Sequence, residues 1–338
     1  MEILAFGVQH DEKPLLEQAF AATVTPLGHE LRCLDVNLDA DTAALALGHE
    51  VVVTPVNAVL DHQVLQTLAV GGTGLIAQRS TGFNNIDLPV AERLGMTVAR
   101  VVSYSPHSVA EHAWSLALAL NRRIARASRR TRDFDFRISG LMGRDLHGRT
   151  AGVIGTGKIG AAFARIAHGF GMRLLGWDIA ENPECVDLGM TYVPTAELLA
   201  RADVVTLHVP LTPQTQHLIG ADSLRLMKDD AILVNTSRGG LVDTAALVAE
   251  LRAGRFTGVG LDVYEAEEGL FFLDKSLETV DDDTLARLVT FPNVLVTAHQ
   301  AYYTSDAVAQ ISRTTASNVA DYLAGRRSEN VLVPRPPA

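Results

Sequence analysis

A strand-like run from Thr150 to Ile154 leads straight into Gly155-Thr156-Gly157-Lys158-Ile159-Gly160, and Asp178 closes the next apolar run, Met172 to Trp177. No other stretch of the chain restricts its fold so tightly. A GxGxxG pattern alone is a weak signal, but the strand before it and the acid after it supply the context that the pattern needs. Gly155 permits a tight turn, Gly157 lets the backbone approach a pyrophosphate, and Gly160 lets the following helix pack closely on the strand. The helix N-terminus then faces the phosphates with N–H groups that have no partner within the helix. Asp178 stands about twenty residues past the glycines, where an acid can hydrogen-bond a ribose 2′-hydroxyl. It would repel a 2′-phosphate, and Ile179 and Ala180 offer no compensating cation. The reading is therefore NAD rather than NADP.

The motif lies near the middle of 338 residues, and a length prior of roughly 150 residues per domain points to two domains. Strand patterns at Ile3 to Phe6, Glu50 to Thr54, Gly74 to Gln78 and Met96 to Val102 alternate with helical ones before the motif. After it, Met172 to Trp177, Val204 to Val209, Ala231 to Thr236, Gly258 to Val263 and Val294 to Thr297 continue the alternation. Strands alternating with helices predict an α/β fold with parallel sheets. Ser105-Pro106 opens a helical pattern that runs on from Val109 to about Arg132, apolar nearly all round in its first half, which suits burial between domains or subunits. The stretch from Glu265 to Pro292 lacks periodicity and reads as a long functional connection. A last helix is expected from Ser305 to Leu323, before a tail ending Pro334-Arg335-Pro336-Pro337-Ala338.

Composition excludes several classes of function. With 29 basic and 39 acidic residues the formal charge is -10, which argues against nucleic acid or an anionic membrane as partner. The arginines from Arg122 to Arg132 then read as a solvated face. Two cysteines, Cys33 and Cys185, cannot build a disulfide framework or a metal knuckle, so no metal site is expected and a reducing cytoplasm is the natural compartment. No apolar run reaches about eighteen residues, and the N-terminus lacks a basic leader, so neither a membrane span nor a targeting segment is expected.

Ligands in open parallel sheets sit beyond the carboxyl ends of the strands. Arg238 follows one predicted strand, Asp262 lies in the next, Glu267 stands just past it, and His299 ends the last. In an NAD enzyme such a set suits hydride transfer to a 2-oxo acid. Arginine holds a carboxylate through two hydrogen bonds, histidine protonates the carbonyl oxygen, and a carboxylate beside the imidazole fixes its tautomer. Taken singly, an arginine in a turn, one of eleven histidines or an acidic cluster such as Glu265, Glu267 and Glu268 has an ordinary structural reading. Their placement after successive strands is what joins them.

At family level, Gly152 to Gly160, Asn235-Thr236-Ser237-Arg238-Gly239 and His299 resemble the D-specific 2-hydroxyacid dehydrogenases. The fermentative D-lactate branch is the nearest. Its features are Gly82-Phe83-Asn84-Asn85-Ile86-Asp87, Tyr104-Ser105-Pro106, Ala110-Glu111-His112-Ala113, Asp262-Val263-Tyr264-Glu265, Phe271-Phe272-Leu273-Asp274-Lys275-Ser276 and His299-Gln300-Ala301. The resemblance implies two Rossmann-like or flavodoxin-like parallel-sheet domains, with an NAD domain (103–301) inserted in a discontinuous substrate domain (1–102 and 302–338) and a cleft that closes on the 2-oxo acid. It implies Arg238 as the carboxylate binder, His299 as acid/base and Glu267 as its partner, preferred to Glu265 by spacing. Tyr104, Tyr302 and the backbone amides near Thr81 and Gly82 would meet the substrate. Thr156, Lys158, Ile159, Asp178, Val209, Pro210, Thr236, Ser237 and Asp262 would contact NAD together with Gly155, Gly157 and Gly160. A homodimer is implied, with the Val109 to Arg132 region as contact. Gly240 stands where relatives commonly carry larger residues, which implies a looser loop.

The leading expectation is an enzyme that interconverts pyruvate and D-lactate. A dehydrogenase for a larger acid such as hydroxyisocaproate or phenyllactate stays open, since pocket width decides it. Phosphoglycerate or hydroxypyruvate fits less well with the Phe271 to Ser276 segment. An NAD-sensing binding protein on the same scaffold is the reading from another class, and the chain has little spare length for a docking surface.

Overall fold

A computed structural model describes residues 1–326 and 328–334; the end of the expected tail, Arg335 to Ala338, lies outside the described residues. The strands, in chain order, are β1 (Glu2–Ala5), β2 (Glu30–Cys33), β3 (Val51–Thr54), β4 (Leu75–Gln78), β5 (Thr97–Ala99), β6 (Thr150–Ile154), β7 (Arg173–Trp177), β8 (Thr191–Tyr192), β9 (Val204–Leu207), β10 (Ile232–Asn235), β11 (Gly258–Leu261), β12 (Val294–Val296) and β13 (Val331–Val333). They form two sheets. The chain divides into two compact units, one built from Met1–Ser105 and the segment from Tyr303 onward, the other from Pro106–Tyr302.

In the first unit the order is β13-β5-β4-β3-β1-β2. All pairs are parallel except β13 with β5. Without β13 this is the 2-1-3-4-5 order of flavodoxin-like sheets. Strands β3, β4 and β5 are buried at every position. They read as unbroken apolar runs because helices cover both faces. The helix Ser305–Leu323 packs on the helix Lys13–Thr23. It brings Ala316, Val319 and Ala320 into one core with Ile3, Phe20 and Val51. Strands β2 and β13 give only short signals in the sequence: the first alternates polar and apolar residues over four positions at an edge, and the second is three residues long.

The second unit is a parallel sheet in the order β12-β11-β10-β9-β6-β7-β8. Reading outward from β6, the order reverses between β6 and β9, the switch point where such sheets bind ligands. Asn235 is in register with Leu261, and Leu261 with Val296. The segments after β10, β11 and β12 therefore leave the same edge of the sheet side by side. The helix Pro106–Asn121 packs on β10, β11 and the helix Lys158–Gly169. Trp114 meets Phe163 edge-on at 5.3 Å.

Two local expectations differ from the structure. The long helix to Arg132 is broken: it stops at Asn121 and resumes as Ile124–Arg132, with Arg123 between them at φ 54°. Tertiary hydrogen bonds override helix propensity there. The Asn121 side chain donates to the Arg144 carbonyl at 2.8 Å, and the Arg123 guanidinium donates to the Thr257 carbonyl at 2.6 Å. Within the connection from 265 to 292 there is a short helix, Asp283–Leu288. Asp282 anchors it, one oxygen accepting from the Leu285 N–H at 2.8 Å and the other from the Tyr264 hydroxyl at 2.8 Å. Burial, helped by the Asp282 carboxylate, pushes the Tyr264 phenol well up. Among the described residues no helix is long and apolar enough to cross a membrane.

Candidate active site

The glycine loop stands at the switch point, after β6 and beside the end of β9. Gly155 has φ 93°, and a Cβ there would lie 2.6 Å from the His208 carbonyl carbon. At Gly160 a Cβ would come within 1.9 Å of the Gly155 oxygen, so the helix Lys158–Gly169 can begin this close to the strand only without a side chain. No side chain caps that helix. Its first N–H groups, at Lys158, Ile159 and Gly160, are the orphan donors of a helix start. A Cβ at Gly157 would meet nothing within 4 Å. Asp178, after β7, accepts from the Thr156 N–H at 2.6 Å and from the Ile179 N–H at 2.7 Å. Thr156 is buried, its hydroxyl accepting from Tyr192 at 2.8 Å and its carbonyl from Asn182 at 2.7 Å. Tyr192 and Asn182 thus brace the turn, a part that carries no motif in the sequence. Burial pushes the Tyr192 phenol up.

Across the switch point, the buried Val209 accepts the Ser237 hydroxyl at 2.6 Å, while Pro210 is exposed and accepts the Thr215 hydroxyl at 2.7 Å. The Thr236 hydroxyl oxygen is buried without a hydrogen-bond partner among the described residues. An unoccupied polar atom in this position, orphan helix donors and a bare Gly157 together suit a dinucleotide. Among the described residues no group of three or more His, Cys, Asp or Glu could hold a metal.

Beyond β10, the Asn235 side chain accepts from the Ser237 N–H at 3.0 Å and donates to the Arg238 carbonyl at 2.8 Å, fixing the turn that presents Arg238. The Arg238 guanidinium donates to the Ser237 carbonyl at 2.7 Å. It pairs with no carboxylate among the described residues, which leaves a half-buried cation for an anionic ligand. Gly239 lies against the backbone of Tyr264 and Glu265, where a Cβ would sit 2.0 Å from the Tyr264 carbonyl carbon, so the turns after β10 and β11 are in contact. The loop is not loosened at Gly240. That residue is buried against Leu211 and Gln216, and its carbonyl accepts from the His217 N–H at 2.8 Å.

Glu267 and His299 form a pair, Oε1 lying 2.8 Å from Nδ1. The other Glu267 oxygen accepts from the Tyr264 N–H at 3.0 Å, which holds the carboxylate in place. Glu265 is committed elsewhere, to the Thr244 N–H at 3.0 Å and to His217 at 2.9 Å. With Nδ1 on a carboxylate, Nε2 is the nitrogen left to a substrate. Phe272 stands 5.9 Å from the imidazole, its ring tilted by 37°. Both residues have non-glycine positive φ, 53° at His299 and 67° at Phe272, a conformation that costs about 1–3 kcal/mol and survives only where neighbours impose it. Burial pushes the His208 imidazole down to about 3, and its Nε2 lies 3.0 Å from the Thr206 hydroxyl.

The groups that impose His299's conformation converge on Asp262, which is fully buried. Its backbone carbonyl accepts from the His299 N–H at 2.7 Å. Its carboxylate accepts from the Gln300 N–H at 2.9 Å, the Ala301 N–H at 2.8 Å and the Thr297 hydroxyl at 2.5 Å. Asp262 therefore organises the histidine's loop, a structural part beside the NAD contact that the resemblance implies for it. Tyr302, half-buried, closes this unit.

Thr81, Gly82 and Tyr104 belong to the first unit. The Thr81 carbonyl accepts from Arg100 at 2.7 Å and the Gly82 carbonyl from the Ser80 hydroxyl at 2.6 Å. The N–H groups of Thr81 and Gly82 meet no acceptor among the described residues. His112 Nε2 and the Thr297 hydroxyl, 3.1 Å apart, stand beside the Asp262 carboxylate, a contact that sequence reasoning did not single out.

Comparison with known proteins bears on the same residues. The family model described as D-isomer specific 2-hydroxyacid dehydrogenase, NAD binding domain, matches residues 114–301. A 2-hydroxyacid dehydrogenase homolog of Schizosaccharomyces pombe is 44% identical over 98% of this chain and 99% of its own. The D-lactate dehydrogenase of Escherichia coli is 43% identical over 98% of this chain and 100% of its own. The solved D-lactate dehydrogenase of Aquifex aeolicus, complexed with NAD and lactic acid, superposes with a TM-score of 0.85 at 32% identity, covering 99% of this chain and 100% of that one. With a family match over more than half its length and near-complete relatives above two-fifths identity, the chain belongs to the D-isomer specific 2-hydroxyacid dehydrogenases, NAD-dependent oxidoreductases of small 2-hydroxy and 2-oxo acids.

Proposed function

We propose that the protein reduces pyruvate to D-lactate with NADH, and runs in reverse when D-lactate and NAD are supplied. The observation that carries this reading is the Glu267–His299 pair at 2.8 Å, together with an Arg238 that pairs with no carboxylate among the described residues. Bound NADH supplies a hydride to C2 of the 2-oxo acid. Arg238 binds the substrate carboxylate through its guanidinium fork and draws charge from the carbonyl. His299 delivers a proton from Nε2 to the carbonyl oxygen, and Glu267 on Nδ1 stabilises the imidazolium before transfer. Thr81 and Gly82 are assigned to the substrate carboxylate on the strength of their unused N–H groups, and Tyr104 and Tyr302 to the substrate by resemblance. The glycine loop, Lys158, Ile159, Asp178, Val209, Pro210, Thr236 and Ser237 are assigned to NAD. In these roles the second unit is the NAD domain and the first the substrate domain. Phe272 against the imidazole favours a small substrate over hydroxyisocaproate or phenyllactate.

Free Cys33 and Cys185 support a reducing cytoplasm as compartment. The subunit is proposed to form a homodimer. Phe134, Phe136, Ile138 and Met142 are 82%, 70%, 85% and 89% exposed in the segment after the helix Ile124–Arg132, an apolar patch of the kind that marks an interface.

The test is NADH oxidation, followed by absorbance, across a panel of 2-oxo acids. Pyruvate should give the highest kcat/KM. Preference for a branched or aromatic acid would shift the substrate to the larger class, and no turnover with any of them would favour an NAD sensor. Reduction should fall as pH rises and oxidation should climb, since one needs the imidazolium and the other the neutral ring. His299→Gln should lower kcat by about 10²–10⁴-fold while leaving NADH binding, measured by fluorescence, near the wild-type value.

A further inference from the structure

Helix Pro106–Asn121 sends one imidazole toward the loop of another. His112 Nε2 lies 3.1 Å from the Thr297 hydroxyl and 3.4 Å from Asp262 Oδ1. The hydroxyl is 2.5 Å from that same carboxylate oxygen, so its single proton is given to Asp262. Its lone pairs are what face His112, and the Nε2 of His112 must therefore carry a proton and donate it.

We propose that His112 and Thr297 are positioning residues for the acid/base histidine. The inference rests on the assignment of that role to His299. Asp262 holds the histidine's loop through the Gln300, Ala301 and His299 N–H groups, and no arginine or lysine offsets its buried charge among the described residues. His112 and Thr297 supply the two side-chain donors to that carboxylate cluster. They fix the carboxylate's rotation, and with it the direction of the Gln300 and Ala301 N–H groups that follow His299. Without His112, the Thr297 hydroxyl loses the donor that fills its lone pair and can turn away from Asp262. The loop is then held less firmly in its left-handed conformation, and Nε2 of His299 is no longer confined to one attitude toward the substrate carbonyl. Positional errors of about 1 Å can cost on the order of a hundredfold in rate. The Ala110-Glu111-His112-Ala113 motif thereby gains a physical meaning: it places an imidazole donor on the buried side of the loop that bears the catalytic one.

The experiment compares His112→Leu with His112→Gln, whose amide can still donate to Thr297, in the full-length enzyme. His112→Leu should lower kcat by about tenfold or more, with the Kd for NADH unchanged, and His112→Gln should recover most of the loss. Thr297→Val should show a similar loss, and adding it to His112→Leu should cost little more. Wild-type kcat in His112→Leu, or equal loss in both His112 variants with additive Thr297→Val, would overturn the inference. If the leucine variant fails to fold, Thr297→Val against Thr297→Ser decides the same question: serine keeps the hydroxyl and should keep kcat, and equal rates would overturn it. Full activity in His299→Gln would instead remove the underlying assignment, whatever the His112 variants do.

Discussion

Two glutamates two residues apart have different work. Glu267 reaches the imidazole of His299, while Glu265 closes on His217 and the Thr244 N–H at the start of the helix Thr244–Arg252. Glu267→Gln should lower kcat toward the smaller end of the about 10²–10⁴-fold range of acid/base contributions, because an amide cannot offset an imidazolium on Nδ1. Glu265→Gln should leave kcat close to wild type and lower the melting temperature, as an N-terminal helix contact is weakened. Steady-state kinetics beside thermal melts separates the two; equal kinetic losses would contradict the assignment. The choice between these residues was legible from spacing to Arg238 and Asp262, but its cause was not. Only three-dimensional packing shows that Glu265 is already occupied and that the Tyr264 N–H holds Glu267 in place.

Elements at the amino-terminal end of the second unit's strands are held by charge. Asp203, just before β9, accepts from the Thr150 N–H at the head of β6 at 2.8 Å and pairs with Lys228 at 3.0 Å. Burial raises its carboxyl, yet the Thr150 N–H and the Lys228 ammonium outweigh that effect and hold it below the ordinary 3.8. A carboxylate lowered by folding stabilises above its unfolded value and ceases to do so as pH falls through its folded value. Asp203→Asn should therefore melt earlier than wild type at neutral pH, with the gap narrowing in acid below about 3.8; a gap that widens in acid would refute the linkage. The alternation of strands and helices was readable because buried parallel strands are continuous apolar runs. Strands β2 and β13 and the break at Arg123 were not, since a four-residue alternation and a three-residue strand are too short to stand out, and a stop imposed by distant carbonyls is not local.

For the molecule as a whole, the large exposed side chains after the helix Ile124–Arg132 are the strongest reason to expect two copies in solution. Phe134→Ser combined with Ile138→Asp should convert a dimer to a monomer in sedimentation velocity; a wild-type monomer would remove that expectation. The first unit needs its last helix and β13, and β13 pairs with a strand that ends at Ala99. The second unit is continuous in sequence. On the ribosome, translation delivers everything Pro106–Tyr302 needs while the opening residues still wait with β5's outer edge unpaired. That nascent edge stays open to the wrong neighbour until β13 emerges. The protein's exposure to misassembly is thus set by the order of elongation, and it ends only when β13 folds back onto β5.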